Sequence, residues 1–157
     1  MEHSEKVGFS FGITSATITT LGLIVGLSAG THSRLAVIGS VLIIAIADAF
    51  SDSLGIHISE ESEKKHTKKE IYMASVYTWF TKFFFAMSFL VPILLLPMQE
   101  AVIACVIWGL ALLAVFSYLI GDGNKWNAVA EHIVIAAIVI ITSNYVGGLI
   151  NSMFGSV

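Results

Sequence analysis

Two aspartates, Asp48 and Asp52, lie four residues apart in an otherwise apolar stretch, LIIAIADAFSDSLG at 42–55. In a helix this spacing places both side chains on one face, about 40° apart around the axis. Burying a carboxylate in the middle of a bilayer costs on the order of 3 kcal/mol, so the pair needs a partner. A bound cation, a proton or a water-filled cavity would supply one. The structural alternative is that neighbouring serines, threonines and water satisfy the pair.

The helix face that carries Asp52 predicts further ligands toward one end of the helix. If the helix continues at about 100° per residue, four polar residues fall within about 40° of Asp52; they are Ser59, Glu63, His66 and Glu70. Oxygen and imidazole ligands suit divalent metals of hard to intermediate character. We therefore predict a metal-ligand stripe along 59–72, as a charged cytoplasmic extension of the second helix. The alternative is that the charges at 60–70 form the solvated end of a helix leaving the membrane.

The composition predicts that these residues belong to a membrane protein. Of the 157 residues, 56% are hydrophobic and 12% are charged, and the mean hydropathy is +0.86, values beyond those of an ordinary soluble domain. A transmembrane helix needs about 20 mostly apolar residues. We predict one all-α membrane domain over 1–157, with no cofactor and five spans, at 9–30, 35–58, 73–97, 101–120 and 128–150.

The distribution of basic residues predicts the orientation. Four lysines between 64 and 69, together with Lys6 and Lys125, lie on one side of the predicted membrane, against Arg34 on the other. The positive-inside rule places the lysine-rich side and the N-terminus in the cytoplasm. We expect Lys82, in the cytoplasmic third of the third span, to extend its ammonium to the same surface. The formal net charge of −3 leaves no basic face for nucleic acid.

Three glycines in the first span, Gly22, Gly26 and Gly30, form two overlapping GxxxG steps. Such steps let another helix approach the backbone closely. The spacing leaves open whether that neighbour belongs to the same chain or to a second subunit. Because five helices alone enclose little volume, we expect a homodimer.

Polar residues elsewhere in the spans give weaker indications. His57 lies on a different face from Asp52 and fits an interfacial residue as well as a ligand. Glu131 and His132 open the fifth span near the cytoplasmic interface, where a proton or ion role is a minor alternative. The single cysteine, Cys105, lies in an apolar run and is expected to be a small buried hydrophobic residue.

The first two spans resemble the vacuolar iron transporter family. The first span of that family reads FG-A-N-DG-L-V-TTLGL-V-A-G, and FGITSATITTLGLIVG at 11–26 matches it without a gap at FG, TTLGL and the final G. The family's second span reads S-M-A-x-G-E-Y-x-S, which is similar to SDSLGIHIS at 51–59 at S, G and S. The other three spans resemble the family in number and length only.

This resemblance implies five spans and a dimer whose cation path lies between the first and second spans of the two subunits. Members of the family move ferrous iron, and often manganese, out of the cytosol in exchange for protons. The family's first-span aspartate falls on Ser15, its second-span methionine on Asp52 and its glutamate on Ile56. Losing the methionine thioether removes a soft ligand and weakens the preference for softer metals. The acidic cytoplasmic domain that many members insert between spans two and three is missing.

We therefore predict a proton-coupled exporter of a divalent cation, Fe²⁺ or Mn²⁺, that is a multi-pass homodimer in the cell membrane. Asp48 and Asp52 would bind the partly dehydrated cation near mid-membrane, with Ser15 of the facing helix as an oxygen ligand. Two poorly solvated carboxylates this close resist ionising together without a cation, so metal would exchange for protons. The protein is then not an enzyme.

Two other classes of function compete with transport. An intramembrane aspartyl hydrolase would use the paired aspartates as acid and base, but here both project along one helix instead of converging from separate positions. A non-transporting membrane metal sensor or scaffold on the same fold is favoured by the serine at position 15.

Overall fold

A computed structural model gives the structure of the protein and describes residues 3–121 and 123–155. The described chain is helical almost throughout, with short connections. The helices are α1 (His3–Thr31), α2 (Arg34–Ser62), α3 (Lys68–Ser88), α4 (Leu90–Leu95), α5 (Met98–Ile120) and α6 (Lys125–Phe154).

Among the described residues, five segments are long and apolar enough to cross a membrane, and the third of them comprises both α3 and α4. The break between these two helices has a local cause, because Pro92 lacks the N–H that would bond the Ser88 carbonyl. Four of the five predicted spans fall within these segments, and the third, 73–97, runs two residues past its segment into the turn before α5. The prediction of an all-α protein with five candidate spans is confirmed. The outward faces of the helices are apolar, as a multi-pass integral membrane protein requires.

The prediction that the second helix extends through residues 59–72 is wrong. Helix α2 ends at Ser62, and Lys64 then adopts a left-handed φ of 54° that reverses the chain. Helix α3 begins after Thr67, whose hydroxyl accepts a hydrogen bond from the Glu70 backbone while the Glu70 carboxylate accepts one from the Thr67 backbone. This capping box fixes a new helix start, so Glu70 belongs to α3 and not to a continuous stripe on α2.

Helix α1 is the central element, in contact with α2, α3, α5 and α6. Several of its threonine hydroxyls are satisfied within the helix itself, whereas the buried Thr20 hydroxyl has no hydrogen-bond partner in the part of the chain that the structure describes. Thr14, Thr17 and Thr19 each donate a hydrogen bond to a carbonyl four residues earlier, at 2.8–2.9 Å. A helix rich in threonine can therefore lie at the centre of an apolar bundle without leaving these hydroxyls unpaired.

Small residues let two neighbours approach α1 closely. On one side, a Cβ added at Gly26 would lie 3.3 Å from the Ser143 carbonyl oxygen of α6, and one added at Gly30 would lie 3.3 Å from that of Gly147. At Gly22 an added Cβ would lie 2.9 Å from Val139 of α6. Within one chain, the neighbour of the glycine face is therefore α6.

On another side of α1, helix α3 lies equally close. A Cβ added at Gly12 would lie 2.8 Å from the Thr81 Cβ, and one added at Gly8 would overlap the Ala74 carbonyl oxygen. This approach brings Lys82, the residue after Thr81, against the middle of α1. The same face of α3 packs against α2.

Candidate functional site

Lys82 lies buried between α1, α2 and α3, with a side chain that is 1% exposed. The prediction that its ammonium reaches the cytoplasmic surface is therefore wrong. The physical reason is that a lysine extends to the surface only when nothing nearer neutralises it. Here the two aspartates of α2 supply the opposite charge inside the bundle.

Three oxygen atoms converge on the Lys82 ammonium. Lys82 Nζ lies 2.5 Å from Asp48 Oδ2, it donates a hydrogen bond to Asp52 Oδ2, and it donates another to Ser15 Oγ at 2.7 Å. Ser15 Oγ in turn donates to Asp52 Oδ2 at 2.6 Å. We call Ser15, Asp48, Asp52 and Lys82 the Lys82 cluster.

The charges of the Lys82 cluster do not cancel. With both carboxylates and the ammonium ionised, the cluster carries one net negative charge inside an apolar bundle. Removing charges from water is costly, and only close opposite charges with well-placed hydrogen bonds offset that cost. Ser15 contributes two hydrogen bonds, because its hydroxyl donates to Asp52 and accepts from Lys82. The cluster is thus compact and anionic, with an affinity for further positive charge.

The cluster is accessible from the Asp48 side. The Asp48 side chain is 26% exposed and that of Asp52 is 18% exposed, against 1% for Lys82. Asp48 lies in an open groove of about 460 Å³, whose other lining residues are Leu23, Ser40, Ile43, Ile44, Ala47 and Ser51. An ion moving along this groove would meet Asp48 first.

The structure brings three of the predicted ligands together, Asp48, Asp52 and Ser15, and adds Lys82 to them. The sequence interpretation missed Lys82 as a member of this site. A signal was present, because an ionisable residue inside a span usually faces the bundle interior and pairs with an opposite charge there. The aspartate pair on another span was the obvious counter-charge.

The remaining predicted ligands lie elsewhere, at the turn between α2 and α3. His66 Nε2 lies 3.6 Å from Glu63 Oε2 and 3.6 Å from Glu60 Oε2, and Glu60 is buried. Glu70 bonds Thr67 instead. Across residues 3–121 and 123–155, no group of three His, Cys, Asp or Glu side chains is arranged to hold a metal ion.

His57 joins α2 to α3 between the cluster and this turn. Its Nδ1 lies 3.1 Å from Ser75 Oγ, and Ser75 already donates its hydroxyl proton to the Ile71 carbonyl. Since a serine has one proton to donate, His57 Nδ1 is the donor in this pair. Ser53 Oγ donates to the Ser75 carbonyl at 2.9 Å. A polar seam therefore continues from the level of the aspartates along the α2–α3 interface.

Two other sequence features have structural partners. His132 Nδ1 lies 2.6 Å from Ser117 Oγ and so links α6 to α5. Cys105 is buried, with its Sγ 3.6 Å from the Phe89 carbonyl oxygen, as expected of a small apolar residue in the bundle.

The site thus combines two carboxylates, one hydroxyl and one ammonium on three helices, with one open side. Such a set can bind a positive ion, exchange charge with it, or simply fasten the three helices together. No protein-family model matches the chain, and no curated protein is significantly similar to it.

Proposed function

We propose that the protein transports a divalent cation across a membrane through the Asp48–Asp52 site. The observation that carries the proposal is that two carboxylate oxygens and the Ser15 hydroxyl converge on one position, which a positively charged nitrogen occupies. A metal ion at that position would meet three oxygen ligands. Such hard donors suit Mn²⁺, Fe²⁺, Mg²⁺ and Ca²⁺, and the resemblance in the first two spans favours Fe²⁺ or Mn²⁺.

The exposure of Asp48 supports transport over a purely structural role. An ion pair that only fastens helices gains by being closed on all sides, because a carboxylate left open to lipid is energetically costly. Asp48 instead keeps 26% of its side chain accessible within an apolar groove. This opening provides a way for an ion to enter and leave.

The same groove supports a homodimer. A carboxylate that faces lipid is energetically costly, and a second copy of the α1–α2 face would cover the groove and turn it into an enclosed path. The resemblance implies a dimer with this arrangement. We further propose that the N-terminus and the 60–70 segment are cytoplasmic, in accord with their lysines.

Exchange for protons is the proposed coupling. A divalent cation that enters the Lys82 cluster would change its net charge from −1 to +1, and a charged centre inside a membrane is unfavourable. Because both carboxylates are already ionised in this count, the proton exchanged would be one released by the Lys82 ammonium, which would return the cluster to neutrality. Export from the cytosol is the direction that the resemblance implies.

The test is a flux measurement in reconstituted vesicles under an imposed pH gradient, with a panel of divalent metals. Asp48→Asn is the informative variant, because it leaves Lys82 paired with Asp52 and Ser15. We expect it to lower metal flux by about tenfold or more, the loss typical of removing one partner of a buried charged site. Glu100→Gln, at an exposed position in the first turn of α5, is the control. Equal flux in the parent and Asp48→Asn would refute the site.

A non-transporting membrane metal sensor or scaffold is the second candidate. It is favoured by one observation, which is that Lys82 already pairs with both carboxylates and so ties α1, α2 and α3 together. Metal binding without flux in the same vesicles would support it. Both aspartates contact one ammonium, an arrangement that lends no support to the aspartyl-hydrolase alternative.

A further inference from the structure

The Lys82 ammonium occupies the position that a transported cation would need. Its Nζ lies 2.5 Å from Asp48 Oδ2 and 2.7 Å from Ser15 Oγ, and it donates to Asp52 Oδ2 as well. A metal ion bound by the same three oxygens at about 2.0–2.6 Å would overlap this nitrogen. The cation and the ammonium therefore cannot occupy the site together.

We propose that Lys82 is a tethered competing cation that makes the Asp48–Asp52 site select divalent over monovalent cations. The inference rests on the proposed function, and it adds a residue that sets which ions the site accepts. It holds whether the displaced Lys82 keeps or releases its proton, because it requires only that the side-chain nitrogen leaves the position when another cation takes it. The flexible four-carbon stem of lysine allows the ammonium to change position by rotation of its side-chain bonds.

A monovalent cation competes poorly with this ammonium. It brings the same single charge, whereas Lys82 is covalently held beside the carboxylates at an effective concentration of about millimolar or higher. The ammonium also makes directed hydrogen bonds to Ser15 and Asp52. Potassium or sodium would gain no electrostatic energy in the exchange and would leave a buried ammonium without its partners.

A divalent cation competes on different terms. Its attraction to each carboxylate is twice that of a monovalent ion at the same distance, since the Coulomb energy is proportional to charge. With both Asp48 and Asp52 as ligands, the stronger attraction of the divalent cation to the carboxylates offsets the loss of the contacts that the Lys82 ammonium made with them. Selection by charge follows even though the oxygen ligands themselves accept many cations.

The experiment compares Mn²⁺ binding to the parent and to Lys82→Met in detergent, with free Mn²⁺ measured by electron paramagnetic resonance. Each protein is titrated in about 0.15 M KCl and in N-methylglucamine chloride at the same concentration, so that ionic screening is equal. We expect the parent affinity to be the same in both salts. In N-methylglucamine chloride, Lys82→Met should bind Mn²⁺ at least about tenfold more tightly than the parent. In KCl, the Mn²⁺ affinity of Lys82→Met should fall by about tenfold, because potassium then competes for the site.

Because Lys82→Met leaves two carboxylates uncompensated, a second pair of variants guards against misfolding. The single variant Asp48→Asn leaves Lys82 paired with Asp52. The double variant, Asp48→Asn with Lys82→Met, carries one net negative charge, as the parent cluster does. We expect KCl to raise the unfolding temperature of the double variant relative to N-methylglucamine chloride, with no such effect on Asp48→Asn. The absence of a potassium effect in the double variant would overturn the inference.

The outcomes separate this inference from the proposed function. If Lys82→Met binds Mn²⁺ no more tightly than the parent and shows no potassium sensitivity, Lys82 only fastens the helices and the inference falls, whatever the flux assay gives. If Lys82→Met gains both properties while the parent shows no flux of any metal, the competitor role stands and the transport proposal fails.

Discussion

Lys82 and Asp48 form an ion pair with unequal surroundings: Nζ and Oδ2 are 2.5 Å apart, yet the lysine side chain is 1% exposed and the aspartate side chain 26%. The positive partner is held in the interior while the negative partner faces the groove. The groove therefore gives access to the pair through the aspartate and not through the lysine.

Removing Lys82 should destabilise the protein strongly. Lys82→Met leaves Asp48 and Asp52 without their counter-charge, and breaking a buried pair in this way costs about 3–5 kcal/mol. Adding Asp48→Asn should recover part of that loss, because one of the two uncompensated charges is removed. Unfolding in mixed micelles with increasing denaturing detergent measures both. Equal stability of Lys82→Met and the parent would contradict the geometry of the cluster.

The contact between α1 and α6 should tolerate no side chain at Gly147. A Cβ there would overlap the Gly26 carbonyl oxygen and lie 3.0 Å from Ala29, whereas a Cβ at the adjacent Gly148 meets nothing within 4 Å. We expect Gly147→Ala to cost about 1–3 kcal/mol through overpacking. Gly148→Ala should be neutral or stabilising by up to about 1 kcal/mol from helix propensity. Thermal unfolding in detergent compares the two, and similar losses in both would argue against this packing.

The thiol of Cys105 should react only after the bundle opens. Its side chain is fully buried against Phe89, so alkylation requires a local or global opening. We expect a maleimide to label the folded protein at least about a hundredfold more slowly than the unfolded chain. A reference protein with Cys105→Ala and Ser62→Cys carries its thiol at the exposed end of α2 and should label rapidly when folded. Fast labelling of native Cys105 would show that α5 is not packed as described.

The two ends of α2 should face opposite sides of the membrane. In a Cys105→Ala background, a membrane-impermeant maleimide should label Ser62→Cys from the cytoplasmic side and His32→Cys from the other. The expectation follows from the lysines that follow Ser62 and the positive-inside rule. Labelling of intact spheroplasts, which exposes one side only, provides the measurement. The reverse pattern would place the N-terminus outside.

The spans could be predicted from sequence because their signal is local. Hydropathy over about 20 residues depends on composition alone, and each predicted span coincides with a helical segment of the structure to within about two residues. The break at Phe89 was less visible, although Pro92 marks it. The end of α2 before residue 67 could also have been predicted, since TKKE at 67–70 has the pattern of a capping box, which marks the start of a new helix.

The partner of the aspartates could not be derived in the same way. Whether Lys82 faces the interior depends on how α3 rotates against α1, and that is set by the close approach at Gly8 and Gly12. Spacing along one helix therefore identified Asp48 and Asp52 as neighbours, but the cation between them came from a helix thirty residues further along the chain.

The hydrogen bonds inside α1 bear on how the bundle is assembled during synthesis. Because α1 precedes the four spans that surround it, it must remain in lipid before they arrive. Thr14, Thr17 and Thr19 bond to carbonyls of their own helix, so these hydroxyls need no later partner. Ser15 is different, since its hydroxyl bonds Asp52 and Lys82. The translocation machinery thus receives a first helix in which these three threonine hydroxyls already have partners, while the Ser15 hydroxyl bonds only to helices that follow.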